Sequence, residues 1–504
     1  MPAPQPEDPR AHNGTTTGYE NDRPGHPVLL GALVGIVLLL VAAWVFVLGY
    51  LPPDDALRHA GKALTDRSWH EILVMREGVY PEMDSHPGWH AVLGTIHNTL
   101  GLDGSSLVQF SVFTLFLVAV LPPVLLSRKP VLWLAALAIG LWVEPGSFLR
   151  LFLGRPLLLT MGVALTIILL WQRQTTNRPS RAALLIIPLL VALAVWCHST
   201  WYLFALPLTV FWLTNWRRAL WFTLLIATGV ISGACLTGHP VDYLFYQLKH
   251  LYWTLLEPGA GAGLAGELRP YAGTHYLLVC GLLLSVIRDW RNFGRQMLNP
   301  LLLLTVICWL LSFKATRFWV DWGFPCLLLW LASELGEWMT RLKLPAKLAP
   351  IGFLIAAVAL TAGAWRYREH FSLNTPIALA TSMTNDPQTA QWLPGAEGVV
   401  YATDMRVFYN LFFLFPNEKW HYAPGFEPGL MPPADARIYR AWRETGDVAA
   451  LSQWAGKLRP NDRLSLVATR DNPPPSCGLA WHFWAPYYWI GKSVGSSATG
   501  NSRN

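Results

Sequence analysis

Eleven apolar runs constrain this 504-residue chain more than any other feature of it. They fall at about 28–50, 107–126, 130–144, 156–172, 182–197, 202–215, 219–237, 275–288, 297–313, 322–339 and 349–365. A helix needs about 20 apolar residues to cross a bilayer. In lipid, backbone polar groups must be satisfied within the segment, so runs of this kind fold as helices. Several are short, and neighbouring pairs could divide differently. Charged residues make up 14% of the chain and hydrophobic ones 53%, whereas a soluble domain carries about 25% charged residues. The prediction is an all-α polytopic membrane protein with about eleven transmembrane helices over 28–365.

The flanks read differently. Residues 1–27 are polar and rich in Pro, Gly and Thr, a composition expected of a disordered N-terminus. No cleavage motif follows the first run, which reads as a retained helix. From about 366 the composition becomes that of a soluble domain. GVVYATD (398–404) and RLSLVATR (463–470) read as strands. RVFYNLFFLF (406–415), ADARIYRAWRETG (434–446) and VAALSQWAGKL (448–458) read as helices. A small α/β domain is therefore expected over 366–490, with a Ser/Gly-rich disordered tail at 491–504. The six cysteines show neither metal spacing nor a disulfide framework.

The net charge of +7 is a matter of topology, and nucleic acid is not expected as a partner. SRK (127–129), RQTTNRPSR (173–181), NWRR (215–218), RDWRNFGR (288–295) and RLKLPAK (341–347) together hold thirteen Lys and Arg. The alternate set of loops holds about ten in roughly 120 residues. The positive-inside rule makes the first set cytoplasmic. The N-terminus is then cytoplasmic, and the outer loops 51–106 and 238–274 lie on the far side with the C-terminal domain. All the residues that look chemical fall there.

The first outer loop opens with PPDDALRHA (52–60). Two adjacent carboxylates beside a membrane face are costly to keep and mark function. Read as a helix over 54–64, the segment makes Asp54/Arg58 and Asp55/His59 i,i+4 neighbours. Pro-Pro-Asp is equally a good helix start, with an aspartate as N-cap. MDSHPGWHAVLGTIHNTLGLD (83–103) reads as a half-apolar helix at the interface, anchored by Trp89. Further outer-face candidates are Arg150 and Arg155 in EPGSFLRLFLGRP, His198 in CHST, and Lys314 and Arg317 in FKATRFWVDWGFP, which also carries Asp321. The Gly-rich stretch 259–267 lacks the context of a nucleotide fingerprint; a flap over a lipid groove is the better reading, with simple interfacial packing of this loop as its equal alternative.

This pattern resembles the GT-C glycosyltransferase superfamily, most of all the branch of protein O-mannosyltransferases and lipid A aminoarabinose transferases. The residues that carry it are Asp54-Asp55 after the first run, Ala56 to Ala63, Ser68-Trp69, His86-Pro87-Gly88-Trp89, and Leu100-Gly101. Asp-Asp stands where Asp-Glu is commoner, and His-Pro-Gly where Lys-Pro-Pro is commoner.

The resemblance implies transfer of a sugar from a polyprenyl-phosphate donor to a lipid, protein or glycan outside the cytoplasm, with inversion; the character of the termini and tail suggests a bacterial inner membrane. It implies Asp54 as general base or organiser of the acceptor, with Asp55 orienting the loop through His59 or touching the sugar. Arg58 and Arg317 would hold the phosphate, with Arg150, Arg155 and His86 as weaker candidates and His198 and Lys314 nearby. No cofactor is required on this reading. A divalent ion on the paired aspartates is the alternative. An O-antigen ligase or polymerase, or a lipid-linked-sugar transporter, is the rival function. The ligases and polymerases carry their catalytic loop late in the chain, and a transporter's charges should line the spans near the midplane.

Overall fold

Each of the eleven runs lies on a helix, and the helix ends are written in the local sequence. The structure is a computed structural model that describes residues 27–52, 54–80, 84–174, 176, 178–253, 269–271, 275–345, 347–367, 387–484 and 487–494. The terminal segments expected to be disordered lie largely outside these residues, as does the Gly-rich stretch 259–267. The first run forms α1 (Pro27–Ala42), continued by a π turn at Ala43–Val47. The outer loop folds into α2 (Asp55–Ala63), α3 (Trp69–Ile72) and α4 (Pro87–Leu100). Ser68 and Glu71 close a capping box at the start of α3, and Gly101 ends α4 in the left-handed conformation at φ +65°, where a glycine costs least.

The apolar helices follow as α5 (Gly104–Leu126), α6 (Pro130–Val143), the short α7 (Pro145–Leu151), α8 (Leu157–Gln172), α9 (Arg181–Cys197), α10 (Ala205–Thr214) and α11 (Trp216–Cys235). Next come α12 (Pro240–Leu251), α13 (Tyr276–Asp289), α14 (Phe293–Gln296), α15 (Pro300–Ser312), α16 (Phe324–Arg341) and α17 (Leu348–Tyr367). Among the described residues, Val28–Val47, Gly104–Leu126 and Trp216–Cys235 are each long and apolar enough to cross a membrane. A fourth candidate is the pair Tyr276–Gln296 and Pro300–Ser312, bent by 87°. Other apolar helices are shorter, including Pro130–Val143, Leu157–Gln172 and Arg181–Cys197. Gly162 lets α8 close onto the backbone of α5, since a Cβ there would collide with the Val118 carbonyl.

The basic loops gather with one another. Arg173 donates to Leu126 O and Arg218 to Trp171 O, both at 2.6 Å. Lys129 pairs with Glu337, and Arg288 with Glu334. The outer segments gather likewise: Lys249 donates to Gly78 O at 2.9 Å, and Val74 N–H to Tyr422 O at 3.0 Å. Each of the two sets of loops separated by charge in the sequence thus makes contacts of its own.

Beyond α17 lie α18 (Pro387–Ala390), α19 (Met405–Leu414), α20 (Pro433–Thr445) and α21 (Val448–Lys457). They pack on a five-stranded sheet of order β2-β1-β3-β5-β4. Its strands are β1 (Val399–Ala402), β2 (His421–Ala423), β3 (Arg463–Val467), β4 (Leu479–Trp484) and β5 (Tyr488–Ser493). β1 pairs in parallel with β2 and β3, while β5 runs antiparallel to β3 and β4. The boundary expected at 490/491 falls inside β5, because Gly491 pairs with Leu464 and Trp481. Helix α19 is the joint to the rest of the molecule. Gly61 of α2 brings its backbone so close to Phe412 that a Cβ would sit 3.0 Å from the Phe412 carbonyl oxygen.

Candidate active site

A cavity of about 480 Å³ opens where the C-terminal domain meets the ends of the helices. Its wall takes Asp55 and Arg58 from α2, His86 from the step before α4, and Arg150 from α7. Arg155 enters before α8, His198 after α9 and His250 from α12. Arg317 and Asp321 come from the turn before α16, and Tyr409, Phe426, Glu427 and Arg443 from the C-terminal domain. Five guanidinium groups therefore face three carboxylates, an excess that suits an anion.

The two aspartates of the opening pair have different places. Asp54 is the N-cap of α2, and its side chain accepts from Asp55 N–H at 2.6 Å. Arg155 grips the same carboxylate with both arms, Nε to Oδ1 at 2.8 Å and Nη2 to Oδ2 at 3.0 Å. Asp54 does not line the cavity; Asp55 does. Asp55 accepts from Arg58 Nε at 2.8 Å and lies 3.5 Å from Arg155 Nε. The expected Asp54/Arg58 neighbour pair gives way to Asp55/Arg58, because an N-cap side chain folds back over the helix start. Arg58 stacks on Phe426, 4.2 Å from the ring centroid, which couples the acidic helix to the C-terminal domain.

A second carboxylate organises the far wall. Asp321 receives Arg150 Nε at 2.8 Å and Nη2 at 2.7 Å, and Arg317 Nε lies 3.5 Å from it. Sequence reasoning noted Asp321 but gave it no role. Its signal was there, an acid one helical turn after Arg317. Glu427 and Arg443 went unremarked, since only folding of the C-terminal domain brings them to the cavity. Lys314 is exposed and outside the cavity wall.

His59 is wholly buried behind the wall and meets His90, Nδ1 to Nε2 at 2.8 Å, rather than forming the expected pair with Asp55. Trp89 is buried too, so α4 packs inward on α2 and α9 and is no interfacial anchor at that residue. Burial, reinforced by Arg58, holds the His86 imidazole well below its ordinary value. Burial and Arg317 lower His198 to about 3, and lower His250 to about 4. The cavity histidines are therefore neutral at pH 7, hydrogen-bonding groups rather than cations. Among the described residues no three of His, Cys, Asp or Glu are arranged to share a metal ion. A divalent ion at the paired aspartates would have to compete with Arg155 and Arg58.

No protein-family model and no curated protein sequence matches the chain. Several solved structures resemble it, two of them as follows. One is ArnT from Cupriavidus metallidurans bound to undecaprenyl phosphate, 16% identical, covering 92% of this chain and 98% of that one at a TM-score of 0.49. The other is the Archaeoglobus fulgidus oligosaccharyltransferase in complex with Zn and sulfate, 12% identical, covering 87% and 68% at a TM-score of 0.52. The likeness to the oligosaccharyltransferase is one of fold.

Proposed function

We propose that the protein is an integral-membrane glycosyltransferase that moves a sugar from a polyprenyl-phosphate donor to an extracytoplasmic acceptor. The observation that carries this reading is the pairing, in one cavity, of a carboxylate with an arginine wall. The apolar helices suit a lipid-facing body, and the loop charges support a cavity on the non-cytoplasmic side and a cytoplasmic N-terminus. A bacterial inner membrane is the setting this suggests.

A polyprenyl-phosphate sugar is already activated, because its leaving group is a phosphate. The site must then accept the acceptor's proton and stabilise the departing phosphate. Asp55, which lines the cavity, takes the base role in preference to Asp54. General base catalysis is typically worth about 10²–10⁴-fold. Asp54 holds Arg155 and the start of α2, and so fixes where Asp55 points. Arg150 and Arg317, held by Asp321, supply preorganised positive charge for the phosphate. Guanidinium forks suit that task by geometry and permanent charge. Attack opposite the phosphate inverts the anomeric centre.

The test uses the full chain in nanodiscs with undecaprenyl phosphate and the uncharged polyprenol as probes. The phosphate should bind at least tenfold more tightly, and Arg317→Ala should remove most of that preference. Equal binding of the two lipids by wild type would sink the reading. Mass analysis of envelope glycans in a deletion strain would then name sugar and acceptor.

A further inference from the structure

Behind the cavity wall stands a row of buried histidines for which the proposed transfer has no use so far. His86 lines the cavity. Its ring centroid lies 4.7 Å from that of His59, and the His59 ring lies 5.0 Å from His90. His59 Nδ1 and His90 Nε2 are 2.8 Å apart. His90 Nδ1 in turn meets Asp84 Oδ2 at 2.5 Å. All three rings are at most 8% exposed, whereas the Asp84 side chain is 21% exposed. The row thus runs from the cavity to a carboxylate in contact with solvent.

Two atoms in the row have no hydrogen-bond partner among the described residues, and both are buried: His59 Nε2 and His86 Nδ1. A buried unpaired polar nitrogen is costly to keep. Here the two sit on neighbouring rings, so a ring rotation or one water molecule would join them. A structural histidine needs neither an orphan nitrogen nor a second imidazole.

We propose that His86, His59 and His90 form a proton relay from the cavity to Asp84. This deepens the transferase reading and rests on it. In that reaction the acceptor oxygen bonds to the anomeric carbon as the carbon–phosphate oxygen bond breaks. The electron pair leaves with the lipid phosphate. The acceptor's hydroxyl proton passes to Asp55, then from Asp55 through the imidazoles to Asp84 and water, and Asp55 is regenerated as carboxylate. Each imidazole takes a proton on one nitrogen and releases one from the other, so no net charge stays in the row. Burial and Arg58 disfavour a resident imidazolium at His59 and His86, which suits passage over storage. Lys62 and Arg58 are the cations around the row, Asp84 is its acid, and His198 and His250 are the further imidazoles beside it.

His59 and His90 act through His86 rather than by touching substrate, so the test must read proton movement. In the full chain in nanodiscs, His59→Ala, which leaves an imidazole-sized cavity, should lower kcat about tenfold, within the usual span of acid–base effects. The donor KM should hold, the solvent deuterium isotope effect should rise, and added imidazole should restore part of kcat. An unchanged kcat, or a loss that imidazole does not restore in a folded variant, overturns the relay. Independently of turnover, 15N-histidine NMR of the wild type should show tautomer-averaged nitrogens at His59 and His90. Fixed single tautomers at both overturn the relay even if transfer is real. Absence of any transfer by wild type rejects the function instead, and the NMR result still decides the relay.

Discussion

Arg155 and Asp54 are joined through both arms of the guanidinium, at 2.8 and 3.0 Å, across 101 positions of sequence. The contact ties the entry of α8 to the start of α2. On the proposed reading, Asp54 is an anion that aims its neighbour. Asp55, one residue on, then faces the cavity with Arg58 against it.

Separate substitutions of the two aspartates should therefore differ. Asp55→Asn removes the base and should lower kcat by about 10²–10⁴-fold. Asp54→Asn retains a capping oxygen, since Asn caps as well as Asp, and loses only the charge on Arg155. Its kcat should fall about tenfold or less. Transfer assays on folded, membrane-inserted protein check this, and a larger loss for Asp54→Asn than for Asp55→Asn would reverse the assignment.

Asp321 is predicted to matter through the arginines it holds. It is 6% exposed and engages Arg150 and Arg317 together. Asp321→Asn leaves both guanidinium groups without their shared anion. We expect kcat/KM for the donor to fall about 10²-fold, the scale of losing a preorganised electrostatic contact. Unchanged donor kinetics in a folded variant would remove this wall from the site.

Docking of the C-terminal domain depends on the small residue at position 61. Gly61→Val places a branched side chain where even a Cβ would be 3.0 Å from the Phe412 carbonyl oxygen. Overpacking of this kind costs about 1–3 kcal/mol. The variant should show a lower Tm and faster protease cleavage between α17 and the sheet domain, while Gly61→Ala should show a milder form of both. Wild-type cleavage rates in Gly61→Val would mean the joint lies elsewhere.

Much of this architecture was legible because it rests on short-range signals. The apolar runs, the helices near 406–415, 434–446 and 448–458, and the strands near 398–404 and 463–470 all appear where periodicity and turn chemistry put them. What escaped was long-range. His59 looked like a partner for Asp55 one turn away, yet meets His90, 31 positions on. Asp54 read equally as a helix-face residue or as a cap, and it caps the helix. β2 is three residues long, too short for alternation to show. β4 (LAWHFW) and β5 (YWIGKS) do not alternate cleanly between apolar and polar residues, which hides the two-residue period that would have marked them. The cavity residues Glu427 and Arg443 reach the site only through the fold of the second domain.

Acid should destabilise the protein through its cavity histidines before it reaches the carboxylates. His198, in the turn after α9, is lowered to about 3 by burial and Arg317, and His250 on α12 is lowered to about 4. An unfolded histidine titrates near 6.5. Between those values the unfolded chain binds protons that the folded chain does not, so stability rises with pH across the window and falls as pH drops. The histidine contribution is complete above about 6.5 and is lost progressively towards 4 and 3. Asp84 is held at about 2 by its His90 contacts, against an ordinary 3.8. Its stabilising share is intact above 3.8 and disappears only as pH falls towards 2. Thermal scans should therefore show Tm falling from about pH 6.5 downward. In His250→Gln that early fall should be shallower, because one of the groups that must take up a proton is gone. An identical acid limb in His250→Gln and wild type would show that this imidazole is not buried uncharged in the folded protein.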